Sequence, residues 1–170
     1  MTYFRTARLA LIFALMLIPI AALAHEYQAG DLHIAHPSSV ATPPRAPNGV
    51  AYLTIHHGGE KADRLISAST PRADRVQLHQ SREADGMAAM EKVDLPLTIA
   101  PGTELKLAPG GRHFMLMGIH APLKVGERIP LTLVFESAGE VEVELAVEAL
   151  GGTAAKDQKG SANPSGHHGH

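Results

Sequence analysis

Leu131-Thr132-Leu133-Val134-Phe135-Glu136-Ser137-Ala138-Gly139-Glu140-Val141-Glu142-Val143-Glu144-Leu145-Ala146-Val147-Glu148-Ala149 is the stretch that decides the fold class. Val141, Val143, Leu145, Val147 and Ala149 recur at period two, with Glu142, Glu144 and Glu148 on the alternate positions. Such alternation marks a strand with one face buried and the other in water. The glutamate row therefore reads as a solvated surface. Leu131, Leu133 and Phe135 alternate in the same way with Thr132, Val134 and Glu136, and Ser137–Glu140 supplies a hairpin connection between the two strands.

The pattern extends upstream. Further strands are expected at 31–36, 49–57, 63–69, 74–80, 87–93, 97–100, 103–108 and 113–119. Pro71, Pro96, Pro101-Gly102, Pro109-Gly110-Gly111, Pro122 and Gly126 punctuate the gaps. Many short strands with a turn signal about every ten residues point to an all-β sandwich or barrel. Residues 37–48, with Pro37, Pro43, Pro44 and Pro47, read as a long Pro-rich connection. No internal repeat is evident.

Both ends differ from this body. Arg5 and Arg8 precede an apolar run from Leu9 to Ala24 that closes on Ala22-Leu23-Ala24, the pattern of a secretory signal peptide cleaved after Ala24. The run is short of the roughly 20 residues that span a bilayer, so no stable membrane insertion is expected after cleavage. Residues 151–170 are rich in Gly, Ala, Ser and Lys and end Gly166-His167-His168-Gly169-His170. Such a tail buries too little apolar surface to offset its ordering entropy and is expected to be disordered. The expected organisation is a signal peptide at 1–24, one domain at 25–150 and a His-containing tail at 151–170.

Composition narrows the chemistry. The chain has 170 residues, 11 His, 6 Met, no Cys and a formal charge of −2. A near-neutral balance argues against nucleic-acid binding, which leaves a basic footprint. Without Cys there is no disulfide scaffold, no iron–sulfur cluster, no thiolate zinc site and no blue-copper centre. No nucleophile elbow, phosphate loop or catalytic triad spacing stands out.

Four methionines remain past the signal segment: Met87, Met90, Met115 and Met117, all in the window that also holds His79 and His113. Buried methionine usually fills core, and that bland alternative stays open for each. On a strand, however, His113 and Met115 point to one face about 6.6–6.8 Å apart, near enough to share an ion. Two imidazoles and two thioethers form a neutral, partly soft ligand set that selects Cu(I) over the oxygen-seeking cations.

Several segments carry a family resemblance. Pro109-Gly110-Gly111-Arg112-His113-Phe114-Met115-Leu116-Met117-Gly118, with Pro122-Leu123-Lys124-Val125-Gly126-Glu127, resembles the periplasmic copper chaperones of cytochrome c oxidase Cu(A) assembly, the PCu(A)C-like family. So do Gly49-Val50-Ala51-Tyr52-Leu53-Thr54-Ile55, Val76-Gln77-Leu78-His79 and His25-Glu26-Tyr27. The family's copper motif, a His and a Met upstream of a His-x-Met, is matched by His79, Met90, His113 and Met115. The gap from Met90 to His113 is one residue longer than is usual there. A bulge or looser turn in Thr103–Gly111 would absorb the extra residue, and Met87 becomes an alternative ligand, with Met117 in reserve. Ser38 stands after His36-Pro37 where the family commonly has Trp. The resemblance implies a cupredoxin-like Greek-key β-sandwich; alternation turns Phe114 and Leu116 away from His113 and Met115, into its core. It also implies a periplasmic, non-enzymatic protein that delivers Cu(I) to the copper-bearing subunit of cytochrome c oxidase, or to another copper chaperone. Copper storage or resistance is the alternative.

Of the other histidines, His167, His168 and His170 are candidate Cu(II) ligands on the tail. His25, as a mature N-terminus, would chelate Cu(II) through its amino group and ring, the arrangement of an N-terminal-His copper oxygenase. Few aromatics remain to bind a polysaccharide for such an enzyme. His33, His36 and His120 read as surface or structural residues. His56 and His57 adjoin on a strand and point to opposite faces, which keeps them from sharing a metal.

Overall fold

The computed structural model describes residues 26–84 and 87–151. Eleven strands run in order: β1 Tyr27–Ala29, β2 Leu32–Val40, β3 Asn48–His57, β4 Asp63–Ser69, β5 Ala73–Ala84, β6 Met87–Lys92, β7 Leu97–Ile99, β8 Glu104–Leu107, β9 Arg112–Ile119, β10 Arg128–Phe135 and β11 Gly139–Glu148. The signal segment, His25 and the tail histidines lie outside the described residues. Alternation does what its period requires. Leu131, Leu133 and Phe135 of β10, and Val143, Leu145 and Val147 of β11, are buried, while the glutamates between them stay wet.

The strands form one mixed sheet in the order β6-β5-β9-β8-β3-β2-β11-β10-β4-β7, with β1 added to β2. The all-β class is as expected. Instead of two separate sheets, one continuous sheet curls over its own core. Switching of partners along single strands explains the curl. Residues 48–51 of β3 pair with β9, and residues 53–56 of the same strand pair with β8. β2 pairs antiparallel with β3 and then, past a register shift between Ala35 and Ser38, parallel with β11.

That shift also corrects the expected connection at 37–48, because β2 runs on to Val40 and only the remainder is loop. His36 adopts φ 53° and Pro37, which has no N–H to give the ladder, sits on the bulge. Past it, the Ser39 hydroxyl donates to the Val50 carbonyl at 2.7 Å. Residues 70–72 join β4 to β5, strands that lie near opposite ends of the strand order. Leu65 of β4, Leu78 of β5, Phe114 and Leu116 of β9 and Leu145 of β11 thereby join one core. Full burial of each such side chain contributes about 1.5–3 kcal/mol.

Candidate metal centre

The site is built by two ladders in unbroken register. β5 and β9 pair antiparallel from Ala73 opposite Ile119 to Gln80 opposite Arg112, which sets His79 directly against His113 and Gln77 against Met115. β5 and β6 pair with His79 opposite Lys92 and Ser81 opposite Met90. Side chains that face each other across a ladder share a sheet face. His79, Met90, His113 and Met115 thus occupy one face across three adjacent strands, with Phe114 and Leu116 buried on the other.

Neither ladder is shifted at Met90, so the longer gap to His113 needs no bulge within them. The chain between β8 and β9 turns through Ala108–Gly111, where Gly111 N donates to the Ala108 carbonyl at 3.1 Å and Gly110 takes φ 77°. Met87 and Met90 lie three positions apart on β6, and so on opposite faces. Met90 shares the face of His79, and Met87, 71% exposed, does not. Met117 shares the face of Met115 one alternation further along β9, opposite Arg75 and Asn48.

Hydrogen bonds set which ring nitrogens can take a metal. His113 is 4% exposed, and its Nδ1 donates to the Gly111 carbonyl at 3.1 Å. That leaves Nε2 with the lone pair. The same carbonyl accepts from Ser81 N at 3.0 Å, so it is tied to β5. His79 Nε2 donates to Gln77 Oε1 at 3.4 Å, and His79 Nδ1 is buried with no partner among the described residues. The two ring centroids are 6.1 Å apart. Burial first, then the neighbouring His113 and Lys92, hold His79 below the ordinary imidazole pKa. That favours the neutral ring, the form a metal ligand takes.

Two thioethers complete the surroundings. Met90 is 54% exposed, unusual for a side chain that normally fills core. Met115 is half-buried and lines a groove with Val50, Tyr52 and Leu150. Behind the site, Arg112 Nε donates to Gln80 Oε1 at 3.0 Å and Arg82 pairs with Glu91, clamping β5 to both neighbours. Among the described residues no three His, Cys, Asp or Glu side chains are arranged around one metal position. Protein donors that share this face with the two imidazoles include the thioethers of Met90 and Met115.

Sequence reasoning missed three contributors. Gln77 and the Gly111 carbonyl orient the rings, and Lys92 places an ammonium opposite His79, its Nζ 3.0 Å from Asp94. Only Lys92 left a signal, two positions after Met90 on an alternating strand. The remaining histidines divide. His57, facing inward, accepts from Gly59 N at Nδ1 and donates from Nε2 to the Lys61 carbonyl at 2.8 Å, a structural role. His120 pairs with Asp74 at 3.0 Å. His36 is exposed at the bulge, while His33 and His56 meet across β2 and β3.

Comparison with known proteins adds relatives. The family model described as "LpqE-like: Putative lipoprotein LpqE-like" matches residues 32–147. The chain is 30% identical over 132 residues to "Putative lipoprotein Lxx21020" of Leifsonia xyli subsp. xyli, covering 68% of this chain and 80% of that protein. Among solved structures, the copper-bound PCuAC domain from PmoF2 is similar with a TM-score of 0.64 at 32% identity, covering 74% of this chain and 99% of that domain. The solution structure of CuI-DR1885 from Deinococcus radiodurans is similar with a TM-score of 0.55 at 33% identity, covering 75% and 83%.

Proposed function

Because the chain belongs to the LpqE-like family, and because of the ligand face just described, we propose that it is a copper carrier outside the cytoplasm, holding Cu(I) between His79, His113, Met90 and Met115. The observation that carries this is the buried, unpartnered Nδ1 of His79 beside His113. An unsatisfied buried polar atom costs about 1–3 kcal/mol, and a bound metal removes that cost. Two neutral imidazoles, two thioethers and a nearby lysine ammonium suit a soft monovalent cation better than a divalent one. Copper in the PCuAC domain from PmoF2 and Cu(I) in DR1885, two similar structures, support the same metal.

The carrier role follows from ligand strength. Thioethers and imidazoles hold Cu(I) less tightly than thiolates would, so copper flows downhill to an acceptor with thiolate ligands. The family resemblance suggests the Cu(A) subunit of cytochrome c oxidase as that acceptor, or another copper chaperone. In this scheme residues 1–24 are removed on export to the periplasm and residues 25–150 form the copper domain. Kinship with the lipoprotein-like family and with the Leifsonia xyli lipoprotein supports a place outside the cytoplasm.

The test is an anaerobic Cu(I) titration against a chromophoric chelator with wild type, His113→Ala and Met115→Ala. Both variants are expected to bind more weakly, and equal affinity in all three would sink the assignment. Mixing the Cu(I)-loaded chain with an apo oxidase copper domain then separates delivery from storage. Transfer supports delivery, and retention makes the protein a copper store.

A further inference from the structure

A second histidine pair has the same backbone construction on the same side of the sheet. β2 and β3 set His33 directly opposite His56, before the register shift at Ala35, with ring centroids 6.0 Å apart. β8 sets Glu104 opposite His56, and Glu26 precedes β1 beside His33. His56 Nδ1 lies 3.2 Å from a Glu104 carboxylate oxygen and His33 Nε2 lies 3.6 Å from Glu26. Both imidazoles are nearly half exposed, at 42% and 48%.

Each ring of this pair has a carboxylate beside one of its nitrogens. A carboxylate beside a metal-binding histidine raises the basicity of its ring. The surroundings differ in charge: two glutamates here, a lysine there.

We propose that His33 and His56 form a second metal site, an imidazole pair flanked by Glu26 and Glu104, for a borderline divalent cation, Cu(II) ahead of Zn(II). Imidazole suits both ions, and Cu(II) is the tighter binder at a nitrogen site of given geometry. No third His, Asp or Glu converges with the pair among the described residues. The two carboxylates therefore act as outer partners, and water fills the remaining coordination positions. The pair lies along β3 from the first site: His56 is six residues from Val50, which opposes Met115, a separation of roughly 20 Å at strand rise. Binding here does not depend on Cu(I) at the first site, and either assignment can fail alone.

The test uses the full chain, labelled with nitrogen-15, and substoichiometric Cu(II) as a paramagnetic probe. Amide signals of residues 32–35 and 54–57 are expected to broaden. His33→Gln with His56→Gln is expected to abolish that broadening while leaving the rest of the spectrum in place. Glu104→Gln is expected to weaken binding about tenfold, with recovery in Glu104→Asp. Broadening confined to His79 and His113, to the N-terminus or to residues 152–170 would overturn the proposal, as would broadening at β2 and β3 that survives the double variant.

Discussion

Two cross-strand histidine pairs, His79–His113 and His33–His56, are built by the same device and surrounded by different chemistry. Their ring centroids are 6.1 and 6.0 Å apart, and each pair is directly opposed in an antiparallel ladder. One pair is sunk into the sheet, with Met90 and Met115 on its face and Lys92 opposite His79. The other is exposed between Glu26 and Glu104. Backbone register brings the imidazoles together, and the neighbouring strands choose the ion. Thioethers with a cation favour a soft monovalent metal, and carboxylates favour a harder dication.

The sharpest way to break the comparison is to damage one pair and read both. His113→Ala removes a direct ligand and is expected to cost Cu(I) affinity more than the roughly 10–100-fold typical of losing an outer partner. The Cu(II) broadening around His33 and His56 should persist in that variant. Loss of both signals together would mean that the pairs are not independent.

A smaller effect concerns the side of β3 that binds no metal. His57 faces inward from His56, near Asp63, a buried carboxylate that accepts from Arg64 N, Ser137 N and Ala138 N at 2.7–2.9 Å. Burial pushes this carboxyl up, but the three backbone donors and the nearby His57 outweigh it and hold its pKa below the ordinary value. A lowered folded pKa stabilises the fold above the unfolded carboxyl value, near 3.9. That contribution is lost as pH falls through the folded value. Asp63→Asn is expected to destabilise by about 1–3 kcal/mol and to flatten the acid limb of the stability profile, measured by denaturant unfolding against pH. Both metal readouts should be unchanged at neutral pH.

The smallest change tests the charge contrast. Lys92 is more than half exposed, so its effect is screened. Lys92→Glu is expected to shift the Cu(II)-against-Cu(I) preference of the first site toward Cu(II) by no more than about 1 kcal/mol, read as a lower reduction potential. An unchanged potential would remove Lys92 from the explanation.

Much of the strand content was legible because burial on one face writes itself as alternation. β10, β11 and the inward Phe114 and Leu116 follow directly from it. The three-residue β1 was too short to show a period, and Pro37 concealed the extension of β2, since a bulge tolerates what a regular ladder forbids. Closure into one sheet was hidden because partner switching along β3 and β2 is a non-local choice. The same limit applies to the sites. His113 and Met115 are neighbours on one strand and could be read locally. His33 and His56 are joined only by register, which no spacing along the chain reveals. The ring-orienting roles of Gln77 and the Gly111 carbonyl became visible only with the fold.

The most direct measurement is copper K-edge X-ray absorption on the chain loaded with one equivalent of Cu(I), compared with Met90→Ala and Met115→Ala. The expected result is a first shell of mixed nitrogen and sulfur scatterers, with sulfur reduced in each variant. A shell of nitrogen and oxygen alone, unchanged by either substitution, would contradict the thioether–imidazole site.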